Sequence, residues 1–272
     1  MNQLANKNFF LLIVLLCVLL SSCGLQEVQD GPPTGNINVS NIPNASPKIL
    51  PRSSRGNPSS YVVFGKRYYV LNSSKGYHVR GIASWYGTKF NHRLTSSGEP
   101  YNMLAMTAAN KVLPLPTFVR VTNLANGRQI IVKVNDRGPF KKNRVIDLSY
   151  VAAKKLGMLP TGTAYVDVRA IDPRVYLARH TQQPLNKPHA RHPGHPLLFL
   201  QVAAFMEKTN ADKLAQRLKT EFQLPIRIAE NHHTRETIYK VQLGPIPSIQ
   251  LSDNISSQLI HDGYGEPLAV IE

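Results

Sequence analysis

The sequence predicts two small folded domains: an all-β barrel over residues 77–172 and an α+β domain over residues 197–272. Several short strands with one small helix predict the barrel, because short strands of this kind close into compact sheets. Two successive strand–helix units predict the second domain, an antiparallel sheet with both helices on one face. Segments rich in Pro, Asn, Ser and Gly precede and separate the domains, and this composition is typical of disordered chain.

The first residues predict a secretory signal. An apolar run, residues 9–20, follows Lys7 and ends in the sequence Leu-Ser-Ser-Cys23. A run this short cannot span a hydrocarbon core of roughly 30 Å as a permanent helix. Its end resembles the bacterial lipobox, in which the cysteine becomes the lipidated first residue of the mature chain; an ordinary signal with an incidental cysteine is the alternative. We therefore expect residues 1–22 to be removed and Cys23 to carry acyl chains.

Residues 23–60 are predicted to form a lipid-anchored flexible tether, because few of them are large and apolar. Gly24 stands where an aspartate would favour retention of such a lipoprotein in the inner membrane. We therefore expect the chain at the periplasmic face of the outer membrane. Cys17 lies in the apolar run and is removed with it, which leaves the mature chain without a second thiol for a disulfide.

The chain is strongly basic. Its formal charge is +16, and removal of the signal, which holds one lysine and no acid, lowers the charge to +15. A net positive charge of this size implies an anionic partner. Nucleic acid fits poorly, because an exported lipoprotein does not meet it and the sequence has no nucleic-acid motif. Lipid head groups and cell-wall carboxylates remain, and a surplus of solvated lysine accounts for part of the charge.

A lead-in segment, residues 61–76, precedes the barrel strands. Residues 117–122 and 129–135 alternate between apolar and polar with period two, which predicts two strands. Asn126-Gly127 between them is a strong hairpin signal. The remaining predicted elements are a helix over residues 149–156 ended by Gly157, and a closing strand over residues 163–171.

A basic linker rich in Pro and His is predicted over residues 173–196. Within it, His189, His192 and His195 lie three residues apart, a spacing that metal ligands can have. Interleaved prolines and a composition typical of disorder favour a basic linker over a designed ligand set. We therefore assign neither a metal nor a cofactor.

The second domain is predicted to begin with a strand over residues 198–205 and a helix with Asn210 as its N-cap. The pattern recurs as a strand over residues 238–243, a helix, and a last strand near residues 267–271, and residues 226–228 can supply a further strand. Apolar residues at helical spacing predict the two helices: Ala211, Leu214, Ala215 and Leu218 in the first, and Leu251, Ile255 and Leu259 in the second.

Short motifs with a fixed order cross the barrel segment. They are residues 81–87, 95–99, 106–110, 113–116, 119–124, 135–140 and 146–149. Together they resemble the motif set of the rare lipoprotein A (RlpA) family, whose fold is a double-psi β-barrel. Residues 199–205 and 239–245 resemble a SPOR domain, which binds septal peptidoglycan stripped of its stem peptides.

The resemblance implies an endolytic lytic transglycosylase that cleaves naked glycan strands at the division septum and leaves anhydro-muramic ends. Its partners would be denuded glycan and, through acyl chains on Cys23, the membrane. Two readings from other classes remain. One is a non-catalytic septal lipoprotein that binds peptidoglycan, and the other is an expansin-like barrel that loosens polysaccharide contacts without cutting.

Asp136 is the candidate general acid, because breaking a glycosidic bond needs a proton at the leaving oxygen. Asp136 ends a strand, and Gly138 and Pro139 turn the chain away, which can leave the carboxyl in a groove. Its neighbour Arg137 is expected on the opposite face of the strand. On composition alone a turn-forming aspartate is favoured. The family resemblance favours the catalytic role.

Glu99 and Asn110 complete the predicted catalytic set. If Glu99 folds close to Asp136, two like charges in a groove cannot both ionise cheaply, and one proton is retained. Taken alone, Glu99 is a solvated loop residue. Active RlpA proteins carry a histidine at the position of Asn110 and an aspartate at that of Asn102. Asn110 can position a sugar or a carboxyl by hydrogen bonds, but it cannot carry a proton.

The candidate glycan-binding residues fall into three groups. A Trp-Tyr pair on a strand can stack on sugar faces or, equally, pack in the barrel wall. Single cations on neighbouring strands can bind glycan carboxylates, although such cations are more often simply solvated. Two glutamines lie in the SPOR-like strands. The residues are Trp85 and Tyr86, Arg120 with Lys133, and Gln201 with Gln242.

Overall fold

The computed structural model describes residues 30–35, 37–180, 196–231 and 236–272. The strands are β1 Ser60–Val63, β2 Lys66–Tyr69, β3 His78–Tyr86, β4 Thr107–Ala109, β5 Thr117–Asn123, β6 Gln129–Asp136, β7 Arg144–Ser149, β8 Ala164–Ala170, β9 Leu198–Phe205, β10 Ile226–Asn231, β11 Ile238–Ile246 and β12 Leu268–Ile271. The α-helices are α1 Tyr150–Leu156, α2 Pro173–His180, α3 Lys208–Phe222 and α4 Ile249–His261. Among these residues, no helix is long and apolar enough to cross a bilayer.

Strands β3 to β8 form a closed barrel in the order β3-β7-β4-β6-β5-β8. The β3–β7 and β4–β6 pairs are parallel, and the other pairs are antiparallel. Alternate residues fill the interior, because successive side chains of a strand point to opposite faces. Val119, Val121, Val132 and Val134 are all fully buried there. The predicted all-β barrel is confirmed.

Local signals in the barrel produce the elements that they predict. The β5–β6 hairpin pairs Thr122 with Gln129, and Gly127 in its turn has a φ of +72°. Helix α1 begins after Ser149, whose hydroxyl accepts a hydrogen bond from the Ala152 N–H. It ends at Gly157, which has a φ of 75°. A positive φ is a conformation that glycine adopts without steric cost.

The C-terminal domain is a four-stranded antiparallel sheet in the order β10-β11-β9-β12, with α3 and α4 packed on it. Leu218 and Leu259 are fully buried in the shared core. The predicted α+β fold is therefore confirmed. Asn210 is not the N-cap, because α3 already begins at Lys208; its side-chain amide instead donates to Glu207 within the first turn, at 3.2 Å.

The N-terminal segment differs from the predicted flexible tether. Val39, Ile42 and Ala45 pack against the barrel core, and the Ala45 N–H donates to the Ile131 carbonyl at 3.0 Å. Isolated apolar residues and backbone hydrogen bonds thus attach a polar segment whose composition alone indicates disorder. The signal residues and Cys23 lie outside the described part of the chain.

A hairpin of β1 and β2 occupies the predicted lead-in segment. The rings of Tyr61 and Tyr68 stack with their centroids 5.4 Å apart, and both contact Phe140, in the turn that follows β6. This aromatic cluster holds the hairpin beside the end of β6.

The barrel and the C-terminal domain contact each other directly. Arg144 at the start of β7 donates from Nη1 and Nη2 to the two carboxylate oxygens of Asp253 in α4, at 3.0 and 2.7 Å. The Asn143 amide donates to the Ser256 hydroxyl at 2.7 Å. In the predicted linker, residues 173–180 form α2, and the three histidines considered as metal ligands lie outside the described residues.

Candidate functional site

Strand β4 lies between two strands that each carry an acid. Ala109 of β4 is the register partner of Asp136 on one side and of Asp147 on the other. Adjacent strands lie about 4.8 Å apart, so the two acidic Cα atoms are separated by about 10 Å. Ala109 itself is buried in a small cluster with Tyr86 and Tyr101. The barrel thus places the two carboxyl groups on the strands that flank β4.

Asp136 is held through one of its two carboxylate oxygens. Its Oδ1 accepts hydrogen bonds from the Ser96 N–H, the Ser96 hydroxyl and the Arg137 N–H, each at 2.7 Å. Within the described ranges, no group donates a hydrogen bond to Oδ2. The side chain is half-buried. This geometry fixes the carboxyl plane and leaves Oδ2 available to a ligand.

Arg137 supports the same turn from beneath. Its guanidinium donates to the carbonyls of Gly56, Asn110 and Leu113, at 2.8, 3.1 and 2.6 Å. These bonds tie the end of β6 to the N-terminal segment and to the loop after β4. The arginine therefore has a structural part in positioning Asp136.

Glu99 lies in a tight loop, residues 94–100, whose ends are joined by a bridge between Leu94 and Pro100. Its carboxylate accepts hydrogen bonds from Lys133, at 2.7 and 2.9 Å, and from Asn135 at 2.8 Å. Burial raises the pKa of Glu99, but these hydrogen bonds and the Lys133 charge lower it by a larger amount, so the net shift of the pKa is downward. The described partners of Glu99 do not include Asp136. The contacts therefore favour an ionised Glu99 that holds the Ser96 loop, and not a proton shared with Asp136.

Asn110 is almost completely buried, and its side chain is occupied within the protein. The amide nitrogen donates to the Tyr77 hydroxyl and the Val145 carbonyl, at 3.2 and 3.0 Å. The amide oxygen accepts from the N–H groups of Val112 and Leu113. Its own backbone N–H donates to the Asp136 carbonyl at 3.0 Å. Asn110 thus positions the backbone of Asp136 rather than contacting its carboxyl.

Asp147 lies in the motif over residues 146–149, but the sequence alone indicated no role for it. The Ser84 hydroxyl donates a hydrogen bond to its Oδ1. Burial raises the pKa of Tyr86 well above its ordinary value, and Tyr101, Asp136 and Asp147 raise it further. Both acids therefore lie near this one tyrosine. The signal that could have found Asp147 is its place between the fully buried Ile146 and Leu148, since alternation puts it on the other face of β7.

The Trp-Tyr pair is packed into the structure. Tyr86 is only 8% exposed and stacks on Tyr101, with ring centroids 4.1 Å apart. Trp85 is half-buried and meets Tyr150 edge-on at 5.9 Å. These contacts favour the packing role over sugar stacking, above all for Tyr86.

The remaining glycan-binding candidates lie in two places. Lys133 is paired with Glu99, and Arg120 is half-buried on the neighbouring strand. In the C-terminal sheet, Gln201 and Gln242 are register partners. Gln242 is buried and accepts a hydrogen bond from the Arg227 Nε at 2.8 Å. Across the described residues, no cluster of three or more His, Cys, Asp or Glu could hold a metal.

Comparison with known proteins supports both domains. A family model described as lytic transglycolase, of the double-psi β-barrel type, matches residues 78–168, and the SPOR domain model matches residues 195–270. The endolytic peptidoglycan transglycosylase RlpA of Pseudomonas aeruginosa is 36% identical, over 94% of this chain and 94% of its own. The protein of the same name from Vibrio cholerae is 37% identical, over 94% and 93%. A crystal structure of the RlpA SPOR domain from Pseudomonas aeruginosa is 27% identical, covering 27% of this chain and 96% of that one with a TM-score of 0.26.

Proposed function

The chain belongs to the RlpA family of endolytic peptidoglycan transglycosylases, and we propose from this that it cleaves peptidoglycan glycan strands without water. The substrate is naked glycan, from which amidases have removed the stem peptides. The product carries an anhydro-muramic end. This proposal rests on the geometry of the Asp136 carboxyl at the end of β6. Hydrogen bonds fix its Oδ1, and its Oδ2 is available to a ligand.

Asp136 acts as the general acid in this proposal. Its proton passes to the glycosidic oxygen as the bond from that oxygen to C1 of the muramic sugar breaks. The C6 hydroxyl of the same sugar then forms the new bond to C1, and its proton returns to the carboxylate. One carboxyl therefore serves as acid and base in turn, and no water is consumed.

Nearby groups support this step through charge and position. The Asp147 carboxyl, across Ala109, would stabilise the positive charge that develops on the sugar ring. Glu99 keeps the Ser96 loop in place, and Asn110 keeps the Asp136 backbone in place. The Asn110 side chain cannot carry a proton and does not contact the Asp136 carboxyl, so the proposal assigns both proton transfers to Asp136 alone.

The C-terminal domain recruits the enzyme to the division septum in this proposal, since the SPOR resemblance implies binding to denuded glycan there. Gln201, Gln242 and Arg227 are the candidate contacts. The acyl chains on Cys23 hold the protein at the periplasmic face of the outer membrane. Arg120 and Lys133 are retained as weaker candidates for glycan carboxylates on the barrel.

The decisive experiment incubates the mature protein with amidase-treated sacculi and measures anhydro-muramic products by mass spectrometry. Release of these products by the wild type and their loss in Asp136→Asn support the proposal. Binding to sacculi without any product would instead favour a non-catalytic wall-binding protein. Softening of the wall without new ends would favour expansin-like loosening.

A further inference from the structure

A cavity of about 300 Å³ lies beyond the end of β4, between the β1–β2 hairpin, the start of β7 and residues 266–269. Its polar lining consists of three cations, two amides and one acid: Lys66, Lys111 and Arg144, Asn110 and Asn143, and Glu266. Asn110 lines the cavity, and its backbone N–H donates to the Asp136 carbonyl, so the cavity adjoins the end of β6 that carries the proposed acid.

Two of the three cations in the cavity wall are already neutralised. Lys66 forms an ion pair with Glu266. Arg144 donates to both carboxylate oxygens of Asp253. Neither of these charges needs a ligand.

Lys111 is the one of these three cations that forms no ion pair among the described residues, although the carboxylates of Glu266 and Asp147 lie close enough to raise its pKa. Its ammonium donates to the Arg144 carbonyl at 2.9 Å and lies 6.0 Å from the centre of the Tyr68 ring. The side chain is half-buried. Burial lowers the pKa of Lys111, and the neighbouring Lys66 lowers it further. A half-buried ammonium has three donors, and one of them has an acceptor among the described residues, so the cavity presents an ammonium to which no carboxylate is hydrogen-bonded.

We propose that this cavity binds a carboxylate of the substrate, namely the lactyl carboxylate of a muramic residue next to the one that is cleaved. The inference rests on the proposed function and assigns part of its specificity to the barrel. In an intact strand this lactyl group is amide-linked to the stem peptide, so it is neutral and carries a bulky chain. Removal of the peptide by an amidase exposes a carboxylate, which can accept a hydrogen bond from the Lys111 ammonium. Lys111 of the barrel, in a cavity that the C-terminal domain helps to close, therefore contributes to the selection of denuded glycan.

Titration of the full chain with N-acetylmuramic acid, and with the same sugar whose lactyl group is converted to an amide, tests this site directly. Backbone NMR signals of Val112 and Val145, which line the cavity, report binding there. We expect the acid to bind at least about tenfold more tightly than the amide, because a charge-assisted hydrogen bond is lost with the amide. In Lys111→Met this preference should fall to about one, whereas Lys111→Arg should retain most of it.

Lys75→Met is the matched control, since it removes the same charge from an exposed position elsewhere on the barrel, and it should keep the wild-type preference. An unchanged preference in Lys111→Met, or cavity signals that do not move with the acid, would overturn the inference even if the protein cleaves glycan. Conversely, a preference that depends on Lys111 in a protein that releases no anhydro product would support the carboxylate site and refute the proposed cleavage.

Discussion

Replacement of Asp253 by alanine should separate the C-terminal domain from the barrel. In the wild type, the Arg144 side chain is 1% exposed and binds both oxygens of this carboxylate. Removing one partner of a buried ion pair leaves an uncompensated charge and costs about 3–5 kcal/mol if the surroundings stay closed. Neutral hydrogen bonds across the interface, such as that from Asn143 to Ser256, contribute only about 1 kcal/mol each. Hydration of Arg144 avoids this cost, and it requires the domains to move apart, which also exposes Ile82 and Leu124 of the barrel where they pack with the C-terminal core.

Small-angle X-ray scattering and urea unfolding measure this effect. We expect a larger radius of gyration for Asp253→Ala and unfolding in two separate steps. Lys141→Met is the control, because Lys141 contacts the same carboxylate at 3.3 Å but is 65% exposed, and such surface pairs contribute at most about 1 kcal/mol. The double variant Arg144→Met with Asp253→Leu should be compact again, since an apolar pair can replace a buried ion pair. A compact Asp253→Ala that unfolds like the wild type would refute the reasoning.

The same contact should depend on pH in a defined direction. Burial raises the pKa of Asp253, but the hydrogen bonds and charges of Arg144 and Lys141 lower it by a larger amount, so the pKa lies below its ordinary value. A group whose pKa is lowered in the folded state contributes fully above its ordinary range and loses that contribution as the pH falls through the lowered value. The wild-type radius of gyration should therefore stay constant down to about pH 4 and rise only below it.

Three further predictions concern catalysis, stability and anchoring. Asp136→Asn should lower the cleavage rate by about 10²–10⁴-fold with an unchanged thermal melt, because the amide keeps the hydrogen bonds to one oxygen but cannot donate the acid proton; wild-type turnover would remove Asp136 from its role. Asp167→Asn should lower the free energy of unfolding by about 1–2 kcal/mol above pH 4, and by progressively less as the pH falls towards and below 2, as measured by urea unfolding. Burial raises the pKa of Asp167, but hydrogen bonds from Arg169 and His78 bring it down to about 2. Cys23→Ser should release the protein into the soluble periplasm or leave it uncleaved, and unchanged membrane association on fractionation would contradict the lipid anchor.

Local patterns predicted those parts of the fold that local interactions produce. The Asn126-Gly127 turn and the Ser149 and Gly157 caps depend on residues close in sequence, so they are visible without a structure. The C-terminal sheet and its helices follow from two short periodicities. The N-terminal segment was predicted differently because its attachment depends on single residues such as Val39 and Ile42, which reach a surface formed by residues far along the chain.

The site divides in the same way. Asp136 was predicted because a strand followed by Gly-Pro marks the end of β6 and the start of a turn. Asp147 was missed because its proximity to Asp136 depends on the strand order β7-β4-β6, which no local pattern encodes. The environment of Asn110 is partly non-local, since two of its four side-chain hydrogen bonds reach back to Tyr77 and forward to Val145. Chemistry can be assigned from residue type and position, whereas partners require the assembled barrel.

The strand order of the barrel also decides when the enzyme becomes competent. Strand β3 pairs with β8, about eighty residues later, and β4 lies between β6 and β7, so the barrel closes only when its last strand is present. Pairings this distant in sequence form slowly compared with local ones. A chain that lacks β8 therefore cannot form the closed barrel that positions Asp136. Trp85 is the single tryptophan of the chain and lies in β3, so its fluorescence during refolding reports the same event that creates the site.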